Sequence, residues 1–172
     1  LVKKLIQQGR NASIKLAVEL IIKSEREEYS ISDLIKDLIT KDTNMSLKFA
    51  TELMTKYEVK NHPSFALKQE LIQKLIQKGT KKSIKSAREL IIHNYGMEIV
   101  LTSDLIDKLI KIGTKTSINL VEELINRYGI KSYPIPLLIE KLIKRNTSAS
   151  IKIAQELILN TRRNDRTSNF FH

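Results

Sequence analysis

With 172 residues, 30 Lys and Arg against 19 Asp and Glu, and a formal net charge of +11, the chain is long enough to bury a core and basic enough to attract polyanions. It has no Cys, which excludes disulfides, thiolate metal sites and Cys nucleophiles and favours a reducing or organellar compartment. No run of about 18 apolar residues that would span a membrane occurs, and 41% hydrophobic residues with only five Gly and three Pro fit an all-α protein. An AT-rich coding sequence that favours Lys, Asn and Ile is the competing source of the charge.

Taken in order, apolar spacings of three and four predict five pairs of amphipathic helices. The first unit, 1–31, opens inside a first helix at Leu1, so an upstream segment is expected; its second helix runs into the charged stretch Lys23 to Glu28. The second unit, 32–66, has helices from Ser32 to Tyr57, then a spacer through Asn61, His62, Pro63 and Ser64. The third, 67–102, runs from Gln69 to Tyr95 and ends at Gly96. In the fourth, 103–135, Leu105, Ile106, Leu109 and Ile110 mark the first apolar stripe and Ile118, Val121, Leu124 and Ile125 the second. Gly113 suits a left-handed helix end between them, and Thr114 an N-cap. Pro134 and Pro136 open the fifth unit, 136–160, with helices over about 137–145 and 147–160. Residues 161–172, with Arg162, Arg163 and Arg166 and no apolar periodicity, are expected to form a basic mobile tail.

The pattern S-[IL]-K-x-A-x-E-L aligns Ser13, Ser46, Ser83, Ser117 and Ser150 at intervals of 33–37 residues. Four positions on stand Ala17, Ala50, Ala87, Val121 and Ala154, small enough for close helix approach, and six positions on stand Glu19, Glu52, Glu89, Glu123 and Glu156. Each Ser is preceded by a turn residue, Gly9, Asp42, Gly79, Gly113 or Asn146. A repeat of this period predicts an α-solenoid, a right-handed superhelix of about five helix-turn-helix units with first helices on one surface and second helices on the other.

A period near 34 admits tetratricopeptide, pentatricopeptide and short HEAT-like repeats. The fourth unit, through Leu105, Ile106, Asp107, Leu109, Lys111, Gly113, Gly129, Ile130 and Lys131, resembles the pentatricopeptide repeat, and the third follows it through Leu71, Ile72, Leu75, Lys78 and Gly79. The interhelical turn and exit loop are shorter than in that family, and its early first-helix aromatic is missing. The resemblance implies binding of single-stranded RNA along the first helices, with about one base per repeat. It assigns base contact to Ser32, Gln69 and Ser103, whereas Pro136 in the fifth unit cannot serve.

The charges bear on the same surface. One first-helix row holds Lys4, Asp37, Lys74, Lys108 and Lys141; the next, one turn on, holds Gln8, Lys41, Lys78, Ile112 and Arg145. Stacked, they would neutralise phosphates. The competing reading is a solvated face whose cations suit the helix C-terminus. The candidate RNA-binding residues are therefore Lys4, Lys41, Lys74, Lys78, Lys108, Lys141 and Arg145, with Ser32, Gln69 and Ser103. A row on the second helices, Lys15, Lys48, Lys85, Asn119 and Lys152, stands four residues before the recurrent Glu and reads as surface pairing.

Catalysis finds little support. His62, His93 and His172 share no motif, the glycines are scattered singly, and Asp104, Asp107, Glu122 and Glu123 have ordinary helix-surface spacing. Tyr57, Tyr95 and Tyr128 end second helices and read as packing beneath turns. The expected protein is non-catalytic, without cofactor, metal or small-molecule substrate and without a membrane partner. Two functions stand: an RNA-binding module, organellar by resemblance and possessed of a place in a ribonucleoprotein such as a mitochondrial ribosome, or a scaffold offering a groove to other proteins.

Overall fold

The computed structural model describes residues 1–24, 30–57, 65–92, 103–128 and 133–168, and over these the chain is all-α. Its helices are α1 (Val2–Gln8), α2 (Asn11–Ser24), α3 (Ile31–Lys41), α4 (Asn44–Tyr57), α5 (Phe65–Lys78), α6 (Lys81–Ile92), α7 (Ser103–Ile112), α8 (Lys115–Tyr128), α9 (Ile135–Arg145) and α10 (Ser148–Ser168). Lys23 is the last residue of the expected charged stretch whose side chain is described. The spacer 61–64, Tyr95, Gly96, the three histidines and the exit residues Gly129, Ile130 and Lys131 lie outside the described residues, as do the side chains of Tyr57 and Tyr128.

Several boundaries differ from the sequence reading, among them that of α9, which begins at Ile135 rather than at 137. Helix α5 begins at Phe65, upstream of Gln69, and α10 continues to Ser168 rather than stopping at Asn160. Residues 161–168 of the segment assigned to the basic tail are therefore helical. Loss of apolar periodicity removes a packing face, but 161–168 contains neither Gly nor Pro, and its Arg residues are good helix formers.

The helices form two compact units, Leu1–Met97 and Glu98–His172. In the first, hairpins α1/α2, α3/α4 and α5/α6 stack so that α3 touches α1 and α5, and α4 touches α2 and α6. In the second, hairpin α9/α10 packs on α7/α8, first helix on first and second on second. The paired Leu-Ile positions of the first helices make the core: Leu34, Ile35, Leu38 and Ile39 are wholly buried, each worth roughly 1.5–3 kcal/mol of transfer free energy. Ala17, Ala50, Ala87 and Val121 are buried too, where small side chains let the layers approach.

Each hairpin turn is built alike. Gly9, Asp42, Gly79, Gly113 and Asn146 all adopt the left-handed conformation that closes the first helix. The second helix then starts with a reciprocal cap. In hairpin α3/α4 the Ser46 N–H donates to Thr43 Oγ1 at 3.0 Å, and the Thr43 N–H donates to Ser46 Oγ at 2.9 Å. Thr80 with Ser83 and Thr147 with Ser150 repeat both bonds, and Ser117 N–H donates to Thr114 Oγ1 in the fourth hairpin. This is a capping box with Ser in the place usually held by Glu or Gln. The recurrent Ser thus serves the fold.

Candidate nucleic-acid interface

The cations expected to line an RNA track are largely engaged in joining hairpins. Lys41 Nζ donates to the Gln7 carbonyl at 2.7 Å, Lys78 Nζ to the Asp42 carbonyl at 2.8 Å, and Arg145 Nη2 to the Ile112 carbonyl at 3.1 Å. In each case a basic side chain from the last turn of one first helix reaches the C-terminal end of the preceding first helix. There it meets carbonyls without an intrahelical partner and the negative end of the helix dipole. The corresponding residue of the fourth repeat, Ile112, carries no donor.

The neighbouring row is partly spent the same way. Lys74 lies 3.5 Å and Lys78 3.3 Å from carboxylate oxygens of Asp42, the latter an ion pair without hydrogen-bond alignment. Lys108 pairs within its own helix with Asp104 at 2.7 Å. Lys141 donates to both oxygens of Asp107, at 2.7 and 2.6 Å. Lys4 is exposed and makes no ion pair among the described residues.

Asp107 also accepts from the hydroxyl of Tyr133, whose ring is buried beneath Lys141 Nζ, 5.5 Å from the ring centroid. Burial pushes the Asp107 carboxyl upward, but the hydrogen bonds from Lys141 and Tyr133 and the Lys141 charge outweigh it and hold the group below its ordinary range. Burial, then the bond to Asp107, raises Tyr133; the bond to Asp107 raises Lys141. Tyr133 was not singled out in the sequence, because its partner stands 26 residues away with no periodic relation to it.

Of the polar positions, Ser32 and Gln69 are half-buried on α3 and α5, Ser103 is exposed at the start of α7, and Pro136 lies in the first turn of α9. The three polar residues thus divide between the two units.

Cations without ion-pair or hydrogen-bond partners among the described residues stand elsewhere, at the turn edge of the hairpins. There stand Arg10, then Lys81 and Lys82, then Lys111 and Lys115, then Lys144, with Asp42 the only acid at any of the five turns. Second helices α2, α4, α6, α8 and α10 have no acid in their first turn. A Lys near a helix N-terminus opposes the dipole by about 0.3–1 kcal/mol, so folding does not account for Lys81, Lys82 and Lys115.

In the first unit this edge contains a groove of about 530 Å³ between α4, α5 and α6, with Met45, Leu47 and Leu75 toward its floor and Lys48, Lys78, Lys81 and Lys82 around it. In the second, a shallower groove of about 460 Å³ is lined by Asp107, Ile110, Lys111, Lys141, Lys144 and Arg145. No protein-family model, curated protein or solved structure matches the chain. No helix among the described residues is long and apolar enough to cross a membrane.

Proposed function

We propose that the protein is a non-catalytic helical-repeat module that binds single-stranded or ribosomal RNA along the turn edges of its hairpins. The observation that carries this is the groove bounded by Lys48, Lys78, Lys81 and Lys82 over an apolar floor. Phosphates suit Lys81 and Lys82, whereas Lys48 and Lys78 already pair with Glu52 and Asp42, and an unstacked base suits the apolar floor. Lys74, Lys108 and Lys141 of the first-helix row, already paired with carboxylates, contribute less than the sequence pattern suggests. On the pentatricopeptide resemblance we extend the reading to an organellar, mitochondrial ribonucleoprotein.

The test is binding to a pool of single-stranded RNA over a salt series. Lys81→Ala/Lys82→Ala is expected to weaken binding and reduce the salt slope by about 0.7 per lysine. Lys74→Ala/Lys141→Ala is expected to leave the slope nearly unchanged once folding is verified. Equal losses in both variants would return the track to the first-helix surface. Absence of binding would favour the scaffold function.

A further inference from the structure

We infer that the groove between hairpins α3/α4 and α5/α6 captures one unstacked base of a single-stranded RNA, in a space that Ser86 opens within the repeat. This rests on the RNA reading above and puts the base contact on second helices at one hairpin junction, instead of one base per repeat along the first helices. Three positions after the recurrent Ser stand Leu16, Phe49, Ser86, Leu120 and Ile153. Where α4 lies on α2 this residue is Phe49, half-buried, and where α10 lies on α8 it is Ile153, 3% exposed. Where α6 lies on α4 it is Ser86, and a groove of about 530 Å³ opens beside it. A small side chain in the place of a large apolar one forfeits packing between the helices. The Ser86 hydroxyl makes no hydrogen bond among the described residues that would compensate.

The opposite wall departs from the repeat as well. Immediately before the recurrent Ser stand Ala12, Met45, Lys82, Thr116 and Ala149, so the one thioether in this row belongs to α4. Met45 is half-buried, and its unbranched chain can repack against a ring and bring sulfur to the ring edge. Both departures line the same groove, above Leu47 and Leu75. At the preceding junction Phe49 places an aromatic ring at the position of Ser86, so a base entering here puts a ring where the repeat has one. Lys81 and Lys82, exposed at the rim, meet the phosphates flanking that base, which selects a nucleotide strand over an uncharged aromatic group. The space admits a purine or a pyrimidine, so capture depends on the base being unstacked and not on its identity. In the second unit Ile153 fills the equivalent position, and the shallower groove there is lined mostly by charged side chains.

The experiment compares binding of the chain to two single strands of equal length over a salt series, oligouridylate and a strand of abasic ribose phosphates. The wild type is expected to bind oligouridylate about tenfold more tightly than the abasic strand. Ser86→Phe, which closes the groove with the side chain of the equivalent Phe49, is expected to bind both strands alike and to keep the wild-type salt slope, because Lys81 and Lys82 remain. Circular dichroism verifies its fold, and Ser86→Leu, after Leu16 and Leu120, takes its place if the ring is not accommodated. Lys81→Ala/Lys82→Ala is expected to lower the slope and keep the preference for bases. Equal binding of the two strands by the wild type, or a preference for bases retained in the filled variant, would overturn the inference while the RNA reading stands. Absence of binding to either strand would overturn both and turn the groove over to a protein partner.

Discussion

The guanidinium of Arg145 lies across Gly113: a Cβ on that glycine would come within 1.7 Å of Nε. Two demands therefore fall on one residue, a φ of +65° and clearance for the next hairpin's clamp. Gly113→Ala is expected to destabilise the chain by about 1–3 kcal/mol, part from backbone strain and part from displacing Arg145. In an Arg145→Ala background only the strain, about 1 kcal/mol, should remain. A double-mutant cycle by urea denaturation checks this, and an identical cost in both backgrounds would remove the clamp from the explanation.

Asp42 resolves the same geometry differently. It holds a φ of 53° that costs a non-glycine residue about 1 kcal/mol, and its carboxylate receives Lys74 and Lys78 in return. The hydrogen bond from Lys78 goes to the backbone carbonyl, which any substitution retains. Asp42→Gly is thus expected to lie within about 0.5 kcal/mol of wild type, relief of strain offsetting loss of part-exposed ion pairs. Asp42→Ala, which loses the pairs and keeps the strain, should be less stable than Asp42→Gly by about 1 kcal/mol in thermal or urea denaturation.

The helical pairs were legible because Leu-Ile pairs at spacings of three and four, a left-handed turn residue and the recurrent Ser are local signals. Their partners lie within the same hairpin. The role of Lys41, Lys78 and Arg145 was not legible, since a cation near a helix C-terminus looks the same whether it faces solvent or a carbonyl 33 to 36 residues earlier. The basic turn edge was overlooked for a related reason. Its residues belong to two helices and follow no single helical period, so Lys78, Lys81 and Lys82 converge only once the hairpin is closed.

The capping boxes make a graded prediction. Ser46 is fully buried and exchanges two backbone bonds with Thr43, so Ser46→Ala is expected to cost about 1–2 kcal/mol. In the first hairpin Arg10 occupies the cap, its carbonyl accepting from the Ile14 N–H, and Ser13 instead donates to Gln8 Oε1. Ser13→Ala should therefore cost less, about 0.5–1 kcal/mol. Equal losses by chemical denaturation would mean that the reciprocal bonds add nothing to the recurrent Ser.

The cluster of Asp107, Tyr133 and Lys141 gives the chain a defined pH response. The folded Asp107 carboxyl titrates below its ordinary 3.8, so its contribution is present above that value and is lost as pH falls through the lower folded value. Lys141 is raised above 10.5 and Tyr133 above 10.0. For both, the protonated form is favoured by folding, so their contribution is complete below the ordinary values and is lost as pH rises through the raised ones. The stability conferred by the cluster should accordingly be level across the neutral range and fall at both extremes. Asp107→Asn removes the carboxylate that Lys141 and Tyr133 share; its deficit relative to wild type at neutral pH should shrink toward zero on acidification through the folded Asp107 value. Tyr133→Phe keeps the Asp107 and Lys141 pair, so its deficit should be smaller at neutral pH and its alkaline limb should be governed by Lys141 alone. Urea midpoints measured over an acid-to-alkaline series decide the matter. A constant gap between wild type and Asp107→Asn down to the acid limit would mean that the carboxylate's charge adds nothing to the stability of this unit.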